Sequence, residues 1–209
     1  MDRIILTVLL GYLLGSIPFS LIVGKLATGI DPRDYGSGNL GAANTFRTLG
    51  AASGVGVLLL DVSKGAMSAL AGSLLWRQGM GLGEVDLMLL GGLSAVCGHI
   101  WTVFASFRGG KGVATAAGMF ISIAPLAFVF SLTAWVLVVV VWRYVSLGSI
   151  VGAIVLPIAV YLTSARRMNG WESMFVISLV VTMVVLVAHR GNLRRILQGT
   201  ERKLSIHGG

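Results

Sequence analysis

Long runs of apolar residues without charge constrain this chain more than any other feature. A helix of about 20 apolar residues spans the ~30 Å hydrocarbon core of a bilayer and satisfies its backbone polar groups internally. Such runs recur along the 209 residues, separated by short charged stretches. Only 11% of the residues are charged, whereas soluble domains carry about 25%. We therefore predict an all-α integral membrane protein.

One apolar stretch is too long to be a single span. Between Lys111 and Arg143 lie 31 uncharged residues, which would form a helix about 46 Å long. Pro125 interrupts this stretch, so we divide it in two, although the first part, at about 20 Å, crosses only if it begins below the membrane surface. The chain is thus predicted to have seven transmembrane segments, at 4–24, 51–76, 87–107, 112–124, 126–142, 147–165 and 173–188.

The distribution of basic residues predicts the orientation of these segments. Lys and Arg accumulate in cytoplasmic loops, and seven segments with the N-terminus outside place 12 of the 16 basic residues on the cytoplasmic side. The outer side keeps only Arg3, Arg77, Arg166 and Arg167. A six-segment arrangement would put the basic C-terminal tail outside, so we favour an external N-terminus and a cytoplasmic C-terminus.

Charge and composition also narrow the function and the domain organisation. The net charge of +8 suits loops beside anionic lipid headgroups, so nucleic acid is not an expected partner. Cys97 is the only cysteine, which excludes an intramolecular disulfide. The chain shows neither a linker between two composition regimes nor an internal repeat, and we interpret residues 1–209 as one membrane domain.

The first polar cluster is a glycine-rich loop between the first two segments. Closely spaced glycines let backbone N–H groups approach an anion, while Ser, Asn and Arg add side-chain donors. A flexible turn is the alternative for the glycines alone, but the asparagines and the arginine favour a binding site. The candidates are Gly36, Ser37, Gly38, Asn39, Asn44 and Arg47.

The second cluster, Gly109-Gly110-Lys111-Gly112, opens the short segment 112–124. Glycines at a helix N-terminus expose N–H groups at the positive end of the dipole, and Lys111 adds a full charge, so together they suit phosphate. The spacing of a nucleotide-binding P-loop is absent, since Gly112 follows Lys111. The alternative is a basic cytoplasmic turn with a glycine bend.

The third cluster lies where the last segment ends. His189 can accept a proton near neutral pH, and Asn192 shares its face if the helix continues. A contact with lipid headgroups is the alternative for a histidine at this boundary. His99, within the third segment, is expected to be a hydrogen-bonded packing residue.

Two further polar features fall within the apolar segments. Asp61 and Lys64 are three residues apart, so a helix places them on one face, either as an ion pair that orients the helix or with Lys64 as a phosphate ligand. At the start of the sixth segment, Ser146 is expected to cap the helix. Ser149 is then the serine more available to a ligand.

In the seven-segment arrangement all these clusters face the cytoplasm, which predicts one polar site there. Three blocks resemble the bacterial acyl-phosphate:glycerol-3-phosphate acyltransferases of the PlsY type. They are G-S-G-N-x-G-A-x-N at 36–44, G-H…F-x-G-G-K-G-V-A-T at 98–115 and H-x-x-N…G-x-E at 189–201. The chain departs from the family pattern at Thr102, where a proline is expected, and conservatively at Arg108 and Leu193.

The resemblance implies transfer of a fatty acyl group from acyl phosphate to the sn-1 hydroxyl of glycerol 3-phosphate, which gives lysophosphatidic acid and phosphate. Lys111, His189, Asn192 and Ser37 are then the catalytic candidates. The remaining residues are expected to bind substrate (Gly36, Gly38, Asn39, Asn44, Arg47, Lys64, Gly109, Gly110, Gly112 and Ser149). Either His189 or a substrate phosphate takes the proton of the acceptor hydroxyl.

The family implies an enzyme of the bacterial inner membrane whose active site faces the cytoplasm. No cofactor or metal is expected, and the protein is predicted to act as a monomer among membrane lipids. A transporter of a phosphorylated metabolite is the main alternative, but it would place polar groups near the bilayer midplane, where 126–142 and 173–188 carry no charge. A scaffold without chemistry would leave the polar clusters unexplained.

Overall fold

The computed structural model describes residues 1–165 and 168–204, and every regular element within them is helical. The chain divides into two compact units, the first from Met1 to Ile123 and the second from Ala124 onward. Arg166 and Arg167, which the sequence assigns to the outer side, lie outside the described residues.

The first unit contains six α-helices. They are α1 (Asp2–Ser16), α2 (Phe19–Thr28), α3 (Ala42–Leu49), α4 (Ala51–Leu75), α5 (Glu84–Ile100) and α6 (Val113–Ile123). Short 3-10 turns lie at Pro32–Asp34 and Val103–Ala105. α1 packs against α5, and α4 packs against α3, α5 and α6.

Small residues let these helices approach closely. A Cβ on Gly15 would collide with the backbone of Ala95, and a Cβ on Gly65 would collide with the carbonyl of Thr115. This type of packing is common in membranes, where close backbone contact replaces the hydrophobic drive between helices. It brings α1 against α5 and α4 against α6.

The second unit contains α7 (Pro125–Trp142), α8 (Val145–Ser164), α9 (Trp171–Ala188) and the short α10 (Arg190–Leu197). α8 packs between α7 and α9. The hydroxyl of Thr182 on α9 donates to the carbonyl of Ala153 on α8 at 2.6 Å, a polar contact between apolar helices. Large apolar side chains such as Leu137 and Val140 are exposed, as expected where helices face lipid.

Among the described residues, six stretches are long and apolar enough to cross a membrane. They are Asp2–Thr28, Ala51–Leu75, Glu84–Ala105, Pro125–Trp142, Val145–Ser164 and Trp171–Ala188. These agree with six of the predicted segments, and α6 coincides with the predicted short segment 112–124.

The first span differs from the single helix predicted at 4–24, because it consists of α1 and α2 with a break at Ile17 and Pro18. Proline lacks an N–H and disfavours the helical conformation of the residue before it, so the break follows from Pro18.

Candidate active site

The first glycine-rich loop is shaped from within by Asn44, which lies on α3 and is 2% exposed. Its Oδ1 accepts hydrogen bonds from the backbone N–H (2.8 Å) and the hydroxyl (3.1 Å) of Ser37. Its Nδ2 donates to the carbonyls of Pro32 (2.9 Å) and Tyr35 (3.2 Å). These contacts use all four hydrogen bonds that an amide can make, so Asn44 holds the loop in place.

The remaining loop candidates lie at or near its surface. Gly36, Ser37 and Gly38 are exposed, and the two glycines have φ angles of 64° and 70°. A side chain at Gly36 would also meet Oδ1 of Asn44. Asn39 is half-buried, as is Arg47, which follows Asn44 by three residues on α3 and therefore shares its face.

The second glycine-rich loop runs back along the end of α5 before α6 begins. The N–H groups of Gly109 and Gly110 donate to the carbonyls of Ile100 and His99, both at 3.0 Å. Lys111 is half-buried and stands two residues before Val113, the first residue of α6. Gly112, with φ of 78°, makes the turn between them. Lys111 therefore lies beside the positive end of the α6 dipole, as the sequence predicts.

The two loops of the first unit meet at Gly110. A Cβ there would lie against both the carbonyl of Leu40 and Nε2 of His99. The first loop therefore approaches the second loop at the residue that precedes Lys111.

Lys64 is placed differently from the loop residues. It is 4% exposed, and its ammonium lies 2.9 Å from the carboxylate of Asp61. The ion pair, which is one of the two roles that the sequence leaves open, is therefore present. His99 is also buried, in agreement with its prediction as a hydrogen-bonded packing residue.

In the second unit, His189 lies at the junction of α9 and α10 and is 3% exposed. Its Nδ1 is 2.8 Å from the carbonyl of Val185. A nitrogen facing a carbonyl must carry a proton, so Nε2 holds the lone pair in the neutral ring. In that tautomer Nε2 is the acceptor nitrogen of the ring.

Asn192 is held by Glu201, which was not among the predicted site residues. Oε1 of Glu201 accepts from Asn192 Nδ2 (2.6 Å) and from the Ser146 hydroxyl (2.7 Å), and Oε2 accepts from Arg195 Nε (2.7 Å). Burial raises the pKa of Glu201, but these hydrogen bonds outweigh burial and hold the pKa below the usual glutamate value. Glu201 is therefore a carboxylate at neutral pH. Glu201 ends the third sequence block, and this position was the feature from which its role in the site could have been predicted.

The prediction that Ser146 caps α8 is wrong. The N-cap is Tyr144, and Ser146 lies inside the helix with its hydroxyl directed to Glu201. A carboxylate accepts a stronger hydrogen bond than a neutral group does. Ser149 is 6% exposed, and its hydroxyl donates to the carbonyl of Val145 at 2.9 Å. Ser149 is therefore less available to a ligand than the sequence indicated.

These features define the chain as a multi-pass integral membrane protein that carries two glycine-rich loops in one unit and a histidine–asparagine pair in the other. The model of the family described as glycerol-3-phosphate acyltransferase matches residues 5–199. The chain belongs to this family.

Curated relatives and solved structures agree with this assignment. A glycerol-3-phosphate acyltransferase of Chlorobium phaeobacteroides strain BS1 is 39% identical, with 100% of this chain and 99% of the relative covered. Another, from Trichlorobacter lovleyi, is 43% identical over 92% of this chain and 93% of the relative.

Two crystal structures of PlsY (YgiH), described as an integral membrane glycerol 3-phosphate acyltransferase, resemble this fold. The glycerol 3-phosphate form is 35% identical with a TM-score of 0.85, over 97% of this chain and 96% of that chain. The lysophosphatidic acid form is 34% identical with a TM-score of 0.84, over 97% and 95%.

Proposed function

We propose that this protein transfers a fatty acyl group from acyl phosphate to the sn-1 hydroxyl of glycerol 3-phosphate. The products are lysophosphatidic acid and inorganic phosphate. The proposal is carried by the similarity to a solved acyltransferase in both a glycerol 3-phosphate form and a lysophosphatidic acid form, since these are the acceptor and the product of this reaction.

Acyl phosphate is the donor that suits these residues. The H-x-x-x-x-D motif of thioester-dependent acyltransferases is absent, because Phe104 lies five residues after His99 and Arg194 lies five after His189. Acyl phosphate is a mixed anhydride with a good leaving group, so direct attack by the acceptor needs orientation and charge neutralisation more than a covalent enzyme intermediate.

The loops of the first unit serve as the phosphate-binding part of the site. Lys111 supplies a full charge beside the N-terminus of α6, and Arg47 supplies a guanidinium from α3, which follows the first loop. The N–H groups of Gly109 and Gly110 already donate within the second loop, so these glycines serve the site by leaving room for the phosphate. As the acceptor oxygen bonds to the acyl carbon, the bond to the phosphate oxygen breaks, and Lys111 stabilises the charge on the leaving phosphate.

His189 and Asn192 hold the acceptor for this attack. The acceptor hydroxyl must lose a proton as it attacks, and a substrate phosphate oxygen, which titrates near neutral pH, is already beside the reacting centre. In this proposal the phosphate takes the proton. Nε2 of His189 accepts a hydrogen bond from glycerol 3-phosphate, and Glu201 keeps Asn192 in place.

The orientation in the membrane follows the charge distribution. In this proposal α6 is a seventh, short membrane segment, and the N-terminus lies outside. The active site then lies on the cytoplasmic face of the bacterial inner membrane, and both substrates bring their phosphates to that face. The two units act as one functional domain, and the active form is a monomer.

The test is an assay of the protein purified in detergent. Phosphate release from acyl phosphate should depend on glycerol 3-phosphate and should be matched by formation of lysophosphatidic acid. Phosphate release that is independent of glycerol 3-phosphate would overturn the proposal.

A further inference from the structure

A buried ionic cluster in the first unit connects α4 to α5. Oδ1 of Asp61 lies 2.9 Å from the Lys64 ammonium and 3.5 Å from Nδ1 of His99. The three residues are only 2%, 4% and 6% exposed. Burying charges within an apolar helix is costly, and such residues are rarely kept there without a function.

On one side the cluster holds the break between α1 and α2. The Lys64 ammonium donates to the carbonyl of Ile17 at 2.9 Å and lies 5.5 Å from the ring centre of Phe19. The ammonium is thus directed to the carboxylate of Asp61, a carbonyl and an aromatic face within the protein.

On the other side the cluster reaches the second glycine-rich loop. The ring of His99 has Nδ1 toward Asp61, and a Cβ on Gly110 would collide with its Nε2. The carbonyl of His99 accepts the N–H of Gly110 at 3.0 Å. His99 therefore forms the surface against which Gly110 lies, and the next residue is Lys111.

We infer that Asp61, Lys64 and His99 are positioning residues that hold the glycine-rich loop and place Lys111 for phosphate binding. Asp61 fixes the orientation of the His99 ring, and Lys64 balances the charge of Asp61. Lys64 acts through this contact rather than as a ligand of substrate. The inference depends on the proposed function, in which Lys111 meets a substrate phosphate.

The substitution His99→Asn tests this role. An asparagine amide can keep the contact with Asp61 while the part of the ring beside Gly110 is lost. We expect the KM for palmitoyl phosphate, glycerol 3-phosphate or both to rise, with kcat/KM lowered up to about 100-fold, because misplacement by about 1 Å can cost that much. A merely structural role would reduce the folded fraction and leave both KM values unchanged.

Thr7→Val is the matched control, since Thr7 is also a buried polar residue of this unit, and its hydroxyl donates to its own helix at the Arg3 carbonyl. It should leave both KM values as in the wild type. If His99→Asn does not fold, Gly110→Ala tests the same contact from the loop side and should raise KM in the same way.

Unchanged KM and kcat/KM in the folded His99→Asn protein, or in Gly110→Ala if only that variant folds, would overturn the inference. The activity of the wild type separates failure of the positioning role from failure of the proposed function. If the wild type is active and the variant is unaffected, only the positioning role is refuted. An inactive wild type refutes the proposed reaction, and with it the inference.

Discussion

Lys111 combines a full charge with the N-terminus of a helix, and in the proposed reaction both stabilise the leaving phosphate. Lys111→Ala should nearly abolish turnover, because the variant loses the positive charge beside the N-terminus of α6. Loss of one preorganised electrostatic contact typically costs about 10²–10³ in kcat, or roughly 2.7–4 kcal/mol. The measurement is kcat, with folding checked by the melting temperature in detergent.

Lys25→Ala is the control for that experiment, since Lys25 is an exposed lysine in the last turn of α2. It should have wild-type turnover. Near-normal activity of a well-folded Lys111→Ala protein would refute the assigned role.

A variant at His189 distinguishes the two routes by which the acceptor hydroxyl can lose its proton. In His189→Asn the amide can replace the Nδ1 contact with Val185, so the fold should survive while the acceptor at Nε2 is lost. If His189 positions the acceptor, the variant should keep partial activity, with the KM for glycerol 3-phosphate raised more than kcat is lowered. Both constants should be measured from about pH 5.5 to 9, around the titration range of histidine.

Complete loss of kcat with unchanged acceptor binding would instead make His189 the essential base. The wild-type rate profile would then show an acid limb that this histidine governs.

At the scale of elements, the close contact between α4 and α6 can be tested with a single added methyl group. Gly65→Ala should lower the melting temperature and the activity, because its Cβ would overlap the Thr115 carbonyl on α6. Overpacking of this kind costs about 1–3 kcal/mol. Gly56→Ala lies on the same helix with open space around it, so it should be neutral or stabilising. Equal melting temperatures for the two variants would contradict the packing described here.

Apolar length and proline explain which elements could be predicted from sequence. The predicted segments 51–76 and 126–142 correspond to Ala51–Leu75 and Pro125–Trp142, since a membrane helix must be long and uncharged. The short helices α3 and α10 were missed as elements, because eight polar or mixed residues give a weak helical signal. Pro18 could have predicted the break in the first span, whereas Pro157 lies inside α8 without ending it.

The candidate site was predictable as motifs but not as contacts. Spacing along one helix was enough to pair Asp61 with Lys64. The contact of Asp61 with His99, and that of Asn192 with Glu201, join residues on different elements. Local sequence does not determine which distant side chains meet, so these partners required the structure.

At the scale of the whole molecule, the predicted orientation can be tested with single cysteines. In a Cys97→Ser background, Arg77→Cys and Arg108→Cys replace two exposed arginines that lie on opposite sides in the proposed arrangement. A membrane-impermeant maleimide applied to spheroplasts should label position 77, and should label position 108 only after the membrane is disrupted. The reverse pattern would contradict an external N-terminus.

The choice of acyl donor tests the central claim most directly. The purified protein is given glycerol 3-phosphate with acyl phosphate, acyl-CoA or acyl carrier protein carrying the same acyl chain, and lysophosphatidic acid is measured by mass spectrometry. We predict product with acyl phosphate alone, since the chain lacks the motif of thioester-dependent enzymes. Equal rates with acyl-CoA would contradict the proposed donor, and absence of product with acyl phosphate would contradict the proposed reaction.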